Sequence, residues 1–316
     1  SIIYNAHNGE NSKGLLKVVV RLLRWITGTF GPNWIKLSPN IHRIVVSSFT
    51  NETFSGYDLV IATATETAAY VNKANGEKVY FVQGFEDWGR SREEVLDTYR
   101  MDMKKITISK WLKEIIDDVS PAEAVYIPNG IDNKVFLETI PYKNRGKHTL
   151  CTLFHWDERK GCDVALKIIY KLKEHYPDFE AFLFGAPKRE SEWPEWIHYT
   201  EKAKPEEVAN TMNHARVFLC TSRQEGFGLT GLESIFCGCV LVTTDCRGIR
   251  EYASQKNAYL CGVDHEQELF ESICSAFDNE EESNSKRENC IETRTQFDAN
   301  NSKKRFYEEI ISNLDH

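Results

Sequence analysis

Two glutamates and three glycines fall within one short stretch. Glu225 and Glu233 have seven residues between them, and Gly226, Gly228 and Gly231 spell G-x-G-x-x-G inside that interval. A glycine-rich turn at a helix start lets backbone N–H groups approach an anion, and the helix dipole adds positive potential there. A phosphate or diphosphate site is therefore expected at the turn Gly226-Phe227-Gly228-Leu229-Thr230. Carboxylates accept hydrogen bonds from hydroxyl groups. Two acids bracketing a phosphate cradle thus suit a ligand with a sugar on one side and a ribose on the other. The same glycines also fit the dinucleotide fingerprint, with Asp245 after the next strand where a ribose-binding acid would stand. That alternative makes the chain an NAD-dependent oxidoreductase. Against it, residues 221–225 separate the strand from the turn, and Glu225 would repel a pyrophosphate. The plainest alternative leaves the two acids as a helix-start acid and a solvated helix acid.

These residues need a frame. Residues 217–220 read as a short apolar strand, 231–239 as a helix with Leu232, Ile235 and Phe236 on one face, and 240–243 as an apolar, β-branched strand buried in a parallel sheet. Around them the second half shows strands at 149–154, 179–184, 197–199 and 258–261, with helices at 162–174, 205–215 and 266–277. Trp193, Trp196 and Tyr199 are expected to pack, and the charged run 278–289 reads as a solvated loop or helix face. The first half shows strands at 2–4, 42–47, 57–63, 78–83, 105–109 and 124–127, and helices at 15–27, 66–73, 91–99 and 110–118. Alternating strands and helices imply parallel sheets. Few residues separate the first helix from the strand at 42–47, so the first half is abbreviated. The expected units are 1–141, a second domain at 147–298 after a charged linker, and a helix in 299–316 that returns to the first. The helix from Leu15 to Thr27 carries Lys17, Arg21 and Arg24 on one narrow stripe. It is read as a largely buried helix, or as a basic amphipathic helix in peripheral contact with anionic lipid.

The stretch 221–251 resembles the donor-binding segment of the family 4 retaining glycosyltransferases, whose pattern is near S-x-x-E-G-F-G-L-x-x-x-E-A-x-A-x-G-x-P-V-V-x-T-D-x-G-G-x-x-E. Both glutamates and the G-F-G-L run are kept. Thr230 stands where Pro is common, Ser234 and Phe236 replace two alanines, Val240 replaces a Pro and Arg247 a Gly. Ile127-Pro128-Asn129-Gly130-Ile131-Asp132, with Phe136 following, resembles a second family marker, P-N-G-[IV]-D-x-x-x-F. The resemblance implies the α/β GT-B fold, two Rossmann-like domains facing across a cleft. It implies retaining, metal-independent transfer from a nucleotide-diphosphate sugar to a glycan, lipid-linked or other hydroxyl acceptor, with no cofactor.

Carried over residue by residue, the resemblance places Glu225 on the transferred sugar and Glu233 on the ribose. The turn from Gly226 through Phe227, Gly228 and Leu229 to Thr230, together with Asn129 and Gly130, lies on the donor. The family loop G-R-x-x-x-x-K-G corresponds to 155–161, so Lys160 holds the donor diphosphate, while His155 stands at the Arg position and Arg159 is available to compensate. Related enzymes often place a His after a strand like 78–83. Here Gln83 stands there, followed by Glu86 and Asp87. Gln83 can orient a sugar but cannot act as a base, and Glu86 or Asp87 is expected on the acceptor or simply in solvent. The departures at His155 and Gln83 keep a third class open, a catalytically silent nucleotide-sugar-binding protein.

Composition narrows the field. The 316 residues include 39 basic and 47 acidic side chains, a net charge of −8, which argues against a general nucleic-acid binder. Apolar residues at 41% are enough for two cores. Nine cysteines without a C-x-x-C pair read as reduced thiols of a cytoplasmic protein. The expected partners are a nucleotide-sugar donor and a carbohydrate or lipid-linked acceptor, with no metal.

Overall fold

Every strand pairing in the described residues is parallel, as the alternation of strands and helices requires. The structure is a computed structural model and describes residues 1–5, 38–46 and 48–311. The helix expected at 15–27 lies outside the described residues.

The first half pairs β1 (Ile2–Asn5) with β2 (Arg43–Val46). A four-stranded sheet follows in the order β3 (Leu59–Ala62), β4 (Glu77–Val82), β5 (Lys104–Thr107) and β6 (Val125–Tyr126). Its helices are α1 (Thr65–Val71), α2 (Arg92–Arg100) and α3 (Lys110–Asp117). The second half is a six-stranded sheet built from β7 (Thr149–Phe154), β8 (Glu180–Gly185), β9 (Ile197–Glu201), β10 (Val217–Cys220), β11 (Val240–Thr244) and β12 (Ala258–Cys261). The spatial order is β12-β11-β10-β7-β8-β9. Strands added after β7 run to one side and those after β9 to the other. The reversal falls between β7 and β10, and crevices open at the carboxyl ends of strands at such a point.

Helices α4 (Cys162–His175), α5 (Pro205–Asn213), α6 (Leu229–Phe236) and α7 (Glu266–Asp278) cover this sheet. Its central strands are apolar throughout because both faces are buried. Along β10, Val217 and Leu219 join the apolar cluster of Ile168, Ile169, Leu172 and Ile273. Phe218 and Cys220 join the opposite cluster with Met212, Leu232 and Ile235. That second cluster continues into the first half through Val82, Phe85 and Leu112, so the two halves share apolar packing.

Three places differ from expectation or add to it. Helix α6 starts and ends earlier than 231–239, because Gly228 and Gly238 both take left-handed backbone (φ 84° and 81°) and bound it. Most of the charged run, residues 280–289, is part of a 17-residue helix, α8 (Glu280–Gln296), with one face buried. That face is made by Ser283, Lys286, Cys290 and Thr293. The Lys286 ammonium donates to the carbonyls of Gln255 and Ala258 and lies over the Tyr259 ring. Finally, α9 (Ala299–Ile311) lies on the first sheet. Phe306 and Ile310 pack with Val79 and Ile106, the Phe81 and Phe306 rings meet at 5.1 Å, and Arg305 donates to the Tyr126 carbonyl. No helix of the described residues is long and apolar enough to cross a membrane.

Candidate functional site

The loops that leave β7 and β10 at the reversal point are locked together by one glycine. Gly161 has φ 61°, and a Cβ there would sit 2.1 Å from the Thr221 carbonyl oxygen. The Thr221 hydroxyl donates to the Lys160 carbonyl at 3.0 Å. Only a glycine allows this approach, and it aims Lys160 at the second loop. The Lys160 ammonium lies 2.7 Å from Glu225 Oε1, and the Ser222 hydroxyl donates to the same oxygen at 2.8 Å. Glu225 is only 12% exposed and Lys160 29%. Burial works against the Lys160 charge, yet the Glu225 carboxylate outweighs it through charge and hydrogen bond. The net result holds Lys160 above the ordinary lysine range.

Beyond Glu225 the chain turns into α6. A side chain at Gly228 would strike Ile249, and the Gly228 carbonyl accepts from the Tyr252 hydroxyl. Phe227 is buried between Tyr252 and Phe297, so its role is packing. Among the described residues the N–H groups of Leu229 and Thr230 have no acceptor; they are the free donors of a helix start. Thr230 lies between the Lys160 side and a larger cavity.

Glu233, one turn into α6, faces that larger cavity of about 690 Å³. Its walls are Phe136, Leu153, Phe184, Ala203 and Val208. Lys202 also reaches the rim, but its ammonium pairs with Glu201. The Glu233 carboxylate has no hydrogen-bond or ion-pair partner among the described residues, and burial alone pushes its pKa up to about 7. An unpaired, desolvated acid facing an apolar cavity is costly without a donor to satisfy it.

The first half closes over the front of α6. Gly226 is pressed against it: a Cβ there would meet the Gln83 carbonyl oxygen at 2.4 Å, and the Trp111 indole N–H donates to the Gly226 carbonyl at 3.0 Å. Glu251 reaches across to accept from the Lys110 N–H at the start of α3 and from the Tyr126 hydroxyl. Arg159 stacks on Trp88 at 4.2 Å. Between the halves lies a cavity of about 430 Å³, lined by Phe85, Asp87, Trp111, Glu225, Asp245 and Arg247 among others.

The remaining expected residues fall as follows. Arg159 is forked onto Asp157, whose pKa it holds down to about 2, so its guanidinium serves the loop and Trp88. His155 is exposed, and its Nδ1 accepts from the Asp157 N–H at 3.0 Å. The Gln83 side chain is exposed and donates to the Thr63 carbonyl. Glu86 accepts from the Thr65 N–H at 2.7 Å and so caps α1. Asn129 and Gly130 line neither the cavity beside Glu225 nor the one beside Glu233. Gly130 packs on the backbone of Asp298 and Ala299, where the chain crosses back, and Ile131 bonds to Phe297 and Ala299. Sequence reasoning misses Ser222, Trp111, Trp88 and Glu251. Ser222 and Glu251 carry a signal, as the first residue and the last acid of the family pattern. Among the described residues no group of three or more His, Cys, Asp or Glu is arranged to hold a metal ion.

Comparison with known proteins bears on this geometry. Residues 147–279 match the family model described as Glycosyl transferases group 1. A subunit of the phosphatidylinositol N-acetylglucosaminyltransferase of Homo sapiens is 26% identical over 152 residues, 45% of this chain and 31% of that protein. Its namesake in Arabidopsis thaliana is 26% identical over 194 residues, 56% of this chain and 43% of that protein. The chain therefore spans less than half the length of these curated relatives. Sucrose-phosphate synthase from Thermosynechococcus elongatus superposes with a TM-score of 0.71 at 14% identity, covering 98% of each chain. Anabaena HepE in complex with UDP-glucose superposes with a TM-score of 0.68 at 17% identity, covering 83% of this chain and 80% of that one. The fold is the GT-B fold of glycosyltransferases.

Proposed function

We propose that this chain is a retaining, metal-independent glycosyltransferase of the family 4 type, moving a sugar from a nucleotide-diphosphate sugar to a hydroxyl acceptor. The observation that carries this reading is the arrangement around α6. A half-buried Lys160–Glu225 pair lies on one side of the helix start, free N–H groups stand at its tip, and an unpaired Glu233 faces a cavity on the other side. A donor fits this order: diphosphate at the tip, sugar toward Glu225 and the front cavity, ribose and base toward Glu233 and the rear one. Two structural neighbours, Anabaena HepE with UDP-glucose and the pneumococcal O-GlcNAc transferase with UDP and GlcNAc, favour a UDP-sugar donor.

The chemistry follows from charge. Breaking the glycosidic bond builds negative charge on the leaving diphosphate, and preorganised donors aimed at it are the main catalytic need. Lys160 and the N–H groups of Leu229 and Thr230 supply them. Before a donor binds, Lys160 is neutralised by Glu225. A bound diphosphate takes Lys160 over and frees Glu225 to accept from sugar hydroxyls. With Gln83 unable to act as a base, the leaving phosphate takes the acceptor proton on the same face, which retains the anomeric configuration.

The oxidoreductase alternative meets an obstacle here. Gly226, Gly228 and Gly231 are each filled against protein: the Gln83 carbonyl, Ile249 and the Tyr252 hydroxyl. Their lack of side chains serves packing between elements. The test is incubation with UDP-, GDP- and dTDP-sugars, following thermal shift and donor hydrolysis, with NMR of the product anomer. Stabilisation and slow hydrolysis by one nucleotide class are expected. Stabilisation without any turnover would favour a silent binder, and stabilisation by NAD alone would favour the oxidoreductase.

A further inference from the structure

A third cavity of about 510 Å³ lies beside the front cleft, on the loop between β7 and α4. Trp156 forms its platform. This indole is 65% exposed, which is unusual for the largest apolar side chain. It does not swing freely, because it meets Phe154 edge to face at 4.9 Å, and Phe154 is itself buried against Trp193. Around the indole stand His155, Glu158, Asp163 and Arg223. His155 Nδ1 accepts from a backbone N–H, which leaves the ring proton on Nε2 as a free donor. The Glu158 carboxylate has no partner among the described residues. Arg223 is fixed by Asp163 and Asp264 and lines both this cavity and the front cleft, so the two adjoin at that residue.

We infer that this groove is a carbohydrate subsite, holding units of an oligosaccharide acceptor that extend past Arg223 from the reaction centre onto Trp156. The inference rests on the glycosyltransferase reading for what lies at the other end of the groove. Its chemistry is local. A rigid, exposed aromatic face suits the C–H face of a sugar ring. A neutral imidazole donor, free carboxylate oxygens and a fixed guanidinium suit its hydroxyls. The acids Glu158 and Asp163 make the surroundings unfavourable to phosphates, so neither a nucleotide nor an anionic lipid headgroup fits as well as a neutral glycan.

The probes are neutral gluco-, manno- and chito-oligosaccharides of one to four units, titrated calorimetrically into the whole protein with UDP present. For at least one series, affinity should rise about tenfold or more from the single sugar to the longest, the effect of burying one aromatic anchor. Trp156→Ala should abolish that gain, Trp156→Tyr should keep most of it, and UDP affinity should be the same in all three proteins. Affinity independent of length in every series, a gain that survives Trp156→Ala, or an equal loss of UDP affinity would overturn the subsite. So would loss of binding to phosphatidylserine vesicles in Trp156→Ala without any effect on glycans. Failure of the wild-type protein to bind UDP or any UDP-sugar would instead remove the glycosyltransferase reading, while the length dependence at Trp156 stays measurable.

Discussion

The two sides of α6 present the same residue type in opposite surroundings. On the cleft side Glu225 holds Lys160 at 2.7 Å and Ser222 at 2.8 Å, in a cavity edged by Asp245, Arg247 and Trp111. On the far side Glu233 stands alone among Phe136, Phe184, Ala203 and Val208. The paired acid has a cation and a hydroxyl as partners. The isolated acid is pushed toward neutrality because nothing offsets its lost hydration. Closeness in the chain therefore does not make two glutamates equivalent. Glu225 trades one charged partner for a substrate, whereas Glu233 gains its first partner when a ligand arrives.

Breaking the pair should give the largest effect. Glu225→Gln is expected to lower sugar transfer by about 10–1,000-fold, the worth of one or two charged hydrogen bonds. Affinity for UDP should hold or rise, because Lys160 loses its competitor. Equal transfer rates in the two proteins would show that Glu225 does not touch the transferred sugar. Lys160→Ala should come next, lowering kcat by about 100-fold and UDP-glucose affinity by less than about tenfold, since charge on the leaving group grows toward the transition state. Steady-state kinetics and calorimetry on the variant separate the two numbers. An unchanged kcat would take Lys160 out of the chemistry.

The far side makes predictions in pH. The folded value for Glu233, about 7, lies above the ordinary carboxylate value of 4.5. Below the ordinary value both folded and unfolded chains hold the proton, and Glu233 costs nothing. As pH rises the unfolded chain releases its proton first, so the cost grows until the folded group ionises, and it is complete above about 7. Glu233→Gln should thus stabilise the ligand-free protein by about 2 kcal/mol at pH 8, with a gain that shrinks steadily toward pH 5. Denaturant unfolding at the two pH values checks this, and a gain independent of pH would assign the effect to packing.

The smallest effect concerns binding. Ribose hydroxyls bond to the ionised acid, so affinity for UDP-glucose should fall about tenfold from pH 8 to pH 6 and stay flat in Glu233→Gln. UDP-glucose has no phosphate that titrates in this window, which keeps the comparison clean. A flat wild-type profile would place the ribose elsewhere.

Much of this arrangement is written in local pattern, and some of it is not. Strands β7, β10 and β12 coincide with their expected ranges, because a strand buried on both faces is a bounded apolar run. The burial of one face of the helix inside the charged run escapes sequence reading because that face is largely polar: Lys286 is bonded to carbonyls and Ser283 to the Ala276 carbonyl, so no apolar periodicity marks it. Spacing and glycine pattern single out Glu225 and Glu233, and the family resemblance adds Lys160. Their surroundings are not legible, because those come from distant segments. Lys160 and Glu225 lie 65 residues apart in the chain, and Trp111 and Gly226 lie 115 apart. By sequence Glu86 is free to meet an acceptor, but the fold places the start of α1 against it. Asn129-Gly130 reads as a donor contact, but the crossover at Ala299 fills the space above Gly130. Side-chain type and period mark the apolar residues that are buried and the polar ones capable of chemistry. Which partner neutralises a charge is a property of the packed chain, since an ion pair or a cap needs only contact in space and leaves no trace in sequence spacing.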